Sequence, residues 1–177
     1  MIATKTEGNT LLEVLVAGAI FGLLSVVLVL TMRTNRASQL KTDAQSQTQR
    51  ACLNTMNQLR NALRGVQVVI PSVGTNGSLL RYYRPVVGSD GMVVVTPAGL
   101  PSFSTTPVTL TLDSSGKLTS NETPPRILGR LFANGSVNFR RVSKGVLEVD
   151  LRAAQSLGGP ERKSQSRIVS RIPVRNS

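Results

Sequence analysis

The sequence predicts an α+β protein: a long N-terminal helix, membrane-spanning in its first half, with its second half packed on a small antiparallel β-sheet. Three observations carry this. Val14 to Met32 is 19 residues without a charged side chain. From Arg33 to Leu63 neither Pro nor Gly interrupts, and apolar residues recur at helical spacing. After Gly65 short runs rich in Val, Leu, Ile and Thr alternate with turn residues.

The order of elements follows from these patterns. Residues 1–8 are short and polar, and residues 9–32 form the apolar segment. At about 1.5 Å per residue such a run spans roughly 30 Å, the thickness of a bilayer core. Residues 33–65 continue the helix with Gln, Ala, Arg and Leu, all good helix formers apart from the interspersed Asn, Ser and Thr. Ala37, Leu40, Ala44, Cys52, Met56, Leu59, Leu63 and Val66 step by threes and fours and mark its apolar stripe. Gly65 is the expected stop, so one helix is expected over about residues 10–64.

Residues 66–177 form the expected β domain. Strands are expected at Val66–Ile70, Leu79–Val87, Met92–Thr96, Val108–Leu112, Ile127–Phe132, Val137–Val142, Val146–Arg152 and Ile168–Val174. The turns between them are "GTNGS", "GSDG", "DSSGK", "NETPP" and "NGS", with "SKG" closing a hairpin. Residues 155–166 read as an exposed loop. Of Tyr82 and Tyr83, adjacent on one strand, one faces the core and the other solvent.

Composition removes several classes of chemistry. The 177 residues contain no histidine, which excludes Ser-His and Cys-His nucleophile pairs and most zinc and iron sites. Nine scattered carboxylates form no dense calcium loop. No SxxK at a helix start and no GxSxG elbow marks an active serine. Cys52 is the single cysteine, lies on the helix stripe, and reads as a small buried hydrophobe. No enzyme activity, cofactor or metal is expected. The net charge is +12, from 21 basic and 9 acidic residues. Such a balance favours phosphate, acidic headgroups or an acidic partner. Aromatics are too few to support base stacking.

The head of the chain poses the sharpest question. Glu13 stands just inside the apolar run, where an isolated charge costs about 3 kcal/mol or more. Gly8, Thr10, Leu11, Leu12 and Glu13, followed by an apolar helix, resemble the processing signal of type IV prepilins and type II secretion pseudopilins. The resemblance implies cleavage between Gly8 and Asn9 by a prepilin peptidase, with N-methylation of Asn9. It implies that Glu13, fifth in the processed chain, meets the N-terminal amine of a neighbouring subunit. Opposite charges in a low dielectric are far better together than apart. The chain departs from the family at three points. Asn9 stands where phenylalanine is usual, Glu7 where a basic residue is common, and Leu30 where major subunits usually carry a proline. The missing proline fits a minor subunit.

Gly18 and Gly22 have the GxxxG spacing that lets helices approach closely in lipid. The last third carries a second resemblance. Phe139, the "GVLEVDL" stretch at 145–151 and Arg175–Asn176 are similar to the end of J-type minor pseudopilins and pilW-like minor pilins. Together the resemblances imply a non-enzymatic minor filament subunit, acting in a tip or priming complex of a pilus, secretion or competence machine. Its partners would be the peptidase, other pilin or pseudopilin subunits and inner-membrane lipid. Its C-terminal domain would face the periplasm. The charge bias argues the other way: Arg33, Arg36 and Lys41 follow the span, against Lys5 before it.

Arg140, Arg141, Lys144, Arg167 and Arg171 form a candidate basic patch, with Arg152, Arg162, Lys163 and Arg175 adding to it. A DNA-binding minor pilin is the alternative this allows, but a solvated face on alternating strands is the favoured reading. A second alternative is a single-pass anchored β domain unrelated to filaments.

Overall fold

The computed structural model describes residues 7–156 and 163–175. The chain divides into two compact units, Met1–Thr42 and Asp43–Ser177. Helix α1, Glu7–Ala62, begins in the first and ends in the second.

In the first unit every described side chain from Leu11 to Thr42 is exposed. Leu11 is 73 % exposed, Phe21 74 % and Leu23 68 %, so this stretch has no interior of its own. The helix is long and apolar enough to cross a membrane, with a mean hydropathy of 2.7 over its most apolar window. Three hydroxyls of its apolar part and the residues just after it are satisfied within the helix. Ser25 donates to the Phe21 carbonyl (2.8 Å), Thr31 to Val27 (2.7 Å) and Thr34 to Thr31 (2.9 Å). Such back-bonding leaves no bare donor toward an apolar surround. Ala37 and Leu40, assigned to the stripe by spacing, are exposed here. Spacing finds a face, but only a partner surface buries it.

The second unit holds the core. From Ala44 onward the stripe is buried: Ala44, Thr48, Cys52, Thr55, Met56, Leu59 and Leu63 turn inward. The helix ends because Gly65 takes a left-handed conformation (φ 75°) that most residues avoid.

The single small sheet expected from the sequence is two antiparallel sheets. The five-stranded sheet runs β1-β3-β4-β5-β6, with β1 Gln67–Ile70, β3 Leu80–Tyr83, β4 Val108–Leu112, β5 Lys117–Ser120 and β6 Ile127–Arg130. The four-stranded sheet runs β2-β7-β8-β9, with β2 Asn76–Gly77, β7 Ser136–Ser143, β8 Val146–Ser156 and β9 Lys163–Pro173. One hydrophobic cluster takes side chains from α1 and both sheets, among them Leu59, Tyr82, Leu118, Phe139 and Leu151. Tyr82 is fully buried and Tyr83 only partly, as alternation requires. A parallel bridge between Gln67 and Arg175 joins β1 to the residues after β9, with Arg175 N–H donating to Val66 at 2.9 Å.

α1 meets both sheets at small residues. Thr55 lies against Gly129 of β6, where a Cβ would overlap its side chain. The serines of β9 face the same helix. Ser164 is 3.3 Å from the Thr48 hydroxyl, and Arg60 donates to Ser170 at 3.1 Å.

Three expectations change. Residues 92–96 make only isolated bridges, Val87 with Val93 and Val95 with Pro101. Pro85, Pro97 and Pro101 remove the donors a continuous ladder needs. β5 was hidden in a turn-like stretch because its inward residues are Leu118 and Ser120, only one of them apolar. The expected loop at 155–166 narrows: β8 runs to Ser156 and β9 starts at Lys163, while residues 157–162 lie outside the described residues.

Candidate functional site

Two regions hold the residues singled out by sequence. The first is the head of α1. The α1 backbone includes Gly8 and Asn9, whose side-chain surroundings lie outside the described residues. Glu13 is exposed and makes no ion pair among the described residues. Gly18 and Gly22 face open space: a Cβ at either would meet nothing within 4 Å. Nothing in this chain's own packing therefore calls for glycine there, although each costs about 1 kcal/mol in a helix interior relative to Ala.

The second region is the outer face of the four-stranded sheet. Pairing places Arg140 of β7, Glu148 of β8 and Arg171 of β9 in one row across the strands. Arg171 Nε donates to Glu148 Oε2 at 3.1 Å. One position along, Asp150 accepts a two-pronged contact from Arg167, Nε to Oδ1 and an Nη to Oδ2, both 2.9 Å. That hydrogen bonding raises the Arg167 guanidinium above its ordinary pKa. Arg152 stands 3.7 Å from the same carboxylate.

The candidate basic patch thus needs correcting. Arg141 is not on it: only 5 % exposed, it points inward beside Phe139. Adjacent residues on a strand face opposite sides, so "RR" cannot place both cations outward. Arg141 donates to the Val68 carbonyl at 2.8 Å and to Lys144 at 3.3 Å, tying β1 to the β7–β8 hairpin. Arg167 and Arg171 are matched by Asp150 and Glu148, leaving Arg140 and Lys144 exposed without such partners in the described residues. Arg162 and Asn176 lie outside the described residues. Sequence reasoning also missed the ion pair of Arg84 with Glu122, whose carboxylate accepts from Ser120 at 2.9 Å.

No arrangement for bond-making chemistry is seen among the described residues. No group of three His, Cys, Asp or Glu side chains converges there. A shallow cleft of about 390 Å³ beside Asn134, Arg152 and Arg167 has serines on its wall but no lysine. Cys52 donates to the Ser166 carbonyl at 3.4 Å, and burial pushes its thiol pKa up. A protonated, enclosed thiol is a poor nucleophile.

A third surface was not foreseen. Residues 84–104 fold into a small three-segment flap, held by Val94 N–H to Val86 and Ser102 N–H to Val94, both 2.8 Å. Val87, Met92, Val95 and Leu100 are more than half exposed on it. No lysine or arginine occurs from Pro85 to Gly116.

Comparison with protein-family models, with curated proteins and with solved structures finds no match.

Proposed function

We propose that this chain is a minor pilin-like or pseudopilin subunit: a non-enzymatic component of a filament assembled from the inner membrane. The observation that carries the reading is the order Gly8, Thr10-Leu11-Leu12-Glu13, then an apolar helix exposed on all sides. An exposed helix of this kind needs an apolar surround, either lipid or other helices. Gly18 and Gly22, with open space before them, would admit a neighbouring helix at close range.

In this reading a peptidase cuts after Gly8, and the new amine at Asn9 supplies the positive charge that Glu13 of a neighbour meets. Processing and assembly are then coupled by electrostatics, because the charge partner exists at that depth only after cleavage. The β domain sits outside the cytoplasm and makes lateral contacts, with the apolar flap at 84–104 as one surface for them. The matched pairs on the four-stranded sheet weaken the case for duplex DNA as the ligand of that face, since Asp150 and Glu148 neutralise Arg167 and Arg171.

The test is the intact mass of the protein from native membranes, with and without an active prepilin peptidase. Loss of residues 1–8 with gain of one methyl group, only when the peptidase is active, is the expected result. An uncut chain in both would sink the filament reading and leave a membrane-anchored β domain.

A further inference from the structure

The apolar stretch of α1 ends at Met32, and three cations follow within nine residues: Arg33, Arg36 and Lys41. No carboxylate lies between Val14 and Thr42. All three cations are exposed, and none makes an ion pair among the described residues. The matched pairs of the four-stranded sheet show that this chain does supply carboxylates to arginines elsewhere. Here the nearest carboxylate, the exposed Asp43, pairs with none of the three among the described residues.

We infer that Arg33, Arg36 and Lys41 form a collar that binds the phosphates of anionic phospholipid headgroups and fixes the depth of the helix. The inference rests on reading Val14–Met32 as a membrane span. Three arguments lead to it. The first is distance. At about 1.5 Å per residue, Arg33 and Arg36 stand within roughly 6 Å of the end of the apolar run, and Lys41 about 14 Å from it. The headgroup layer is about 5–8 Å deep on each side of the hydrocarbon.

The second is helix polarity. In an α-helix each Cα–Cβ bond tilts toward the N-terminus. Here the apolar run lies on the N-terminal side of the cations, so their long side chains lean back toward the headgroups. Lys41 gains the reach it needs this way. A span placed C-terminal to the same cations would lose that advantage.

The third is the lack of another anchor. Tyr and Trp usually fix a helix at the membrane surface, but this stretch contains neither. Thr31 and Thr34 bond to their own helix and offer no donor to a headgroup. The charges are the one strong interfacial contact at this end. Each basic residue near an anionic surface favours binding about fivefold. Three together give a preference of roughly a hundredfold at most, reduced by salt.

The experiment uses the full chain in vesicles of phosphatidylcholine containing phosphatidylglycerol. Flotation on a density gradient first reports whether the helix holds the membrane. Spin-labelled phosphatidylglycerol and phosphatidylcholine then report which lipid the protein immobilises. A several-fold preference for phosphatidylglycerol is expected. It should fall to near unity in the Arg33→Gln/Arg36→Gln/Lys41→Gln variant, which still floats. The Arg140→Gln/Lys144→Gln variant, altering exposed cations of the β domain, should keep the full preference. An unchanged preference in the collar variant, or its loss in the domain variant, would overturn the inference. Failure of the unaltered chain to float would remove the span, and the collar with it.

Discussion

Residues 7–42 and residues 43–62 belong to one helix, yet they meet different surroundings. In the first stretch every described side chain is exposed, Leu, Val and Phe among them. In the second, a stripe from Ala44 to Leu59 is buried by two sheets of the same chain. The backbone hydrogen bonding is the same in both. What differs is who supplies the apolar surround. The second stretch carries its own, whereas the first finds none among the described residues. A helix can thus be one piece of secondary structure and two different problems in packing.

The comparison can be broken most directly at paired leucines. Leu59 is fully buried and Leu23 is 68 % exposed. Leu59→Ala should cost the β domain about 2–5 kcal/mol in urea unfolding, the usual range for a core truncation. Leu23→Ala should leave that unfolding midpoint unchanged. Equal effects would mean that the two stretches share one folding unit.

Arginines sharpen the same contrast inside the domain. Arg141→Ala leaves the Val68 and Lys144 carbonyls without their buried donor, and should cost about 2–3 kcal/mol. Arg140→Ala, one residue away and exposed, should change stability by less than about 0.5 kcal/mol. Denaturation curves for the two variants would coincide if Arg141 were as solvated as its neighbour.

Glycines separate packing within the chain from packing between chains. Gly129→Ala forces a methyl into Thr55 and should destabilise the domain by about 1–3 kcal/mol. Gly18→Ala and Gly22→Ala meet no atom of this chain, so the domain's melting temperature should not move. Any effect of those two should appear only as weaker helix association in membranes, read by cross-linking.

The smallest expected effect is a pH dependence. Asp113 accepts from Lys117 N–H at 2.8 Å and from the Ser115 hydroxyl at 2.7 Å, closing the β4–β5 turn. The Lys117 amide chiefly holds its carboxyl below the usual range. A depressed carboxyl stabilises the fold above about pH 4 and loses that contribution as pH falls through its lowered pKa. Asp113→Ala should therefore flatten the acid limb of a stability–pH curve slightly, by lowering the neutral plateau a little while the acid end stays where it is.

Much of this fold was legible where one force dominates. The helix stop at Gly65, the apolar span and the strand Val108–Leu112 each follow from a strong local pattern. Pairing was less legible, because a period of two does not say which strand lies beside which. Residues 92–96 look like a strand by composition, but nearby prolines break the ladder. β5 is a strand by pairing, with a polar Ser120 inside whose hydroxyl accepts from Arg126 N–H at 3.3 Å. The basic patch failed for a related reason. Counting arginines reveals neither which way Arg141 points nor that Asp150 sits diagonally across from Arg167. Gly8 and Glu13 sit in a continuous segment whose spacing the sequence displays directly, and the role read from that spacing rests on the proposed function.

The bridge between Gln67 and Arg175 sets a timetable for the chain. Val66, just before β1, accepts its hydrogen bond from Arg175, about a hundred residues later. A ribosome adding about 5–20 residues per second needs some 5–20 s to cover that separation. The apolar stretch of α1 is complete long before, while the domain that follows it is still open. Arrested chains ending before residue 175 should leave the Val66–Ile70 strand open to protease, and chains extended past it should protect it.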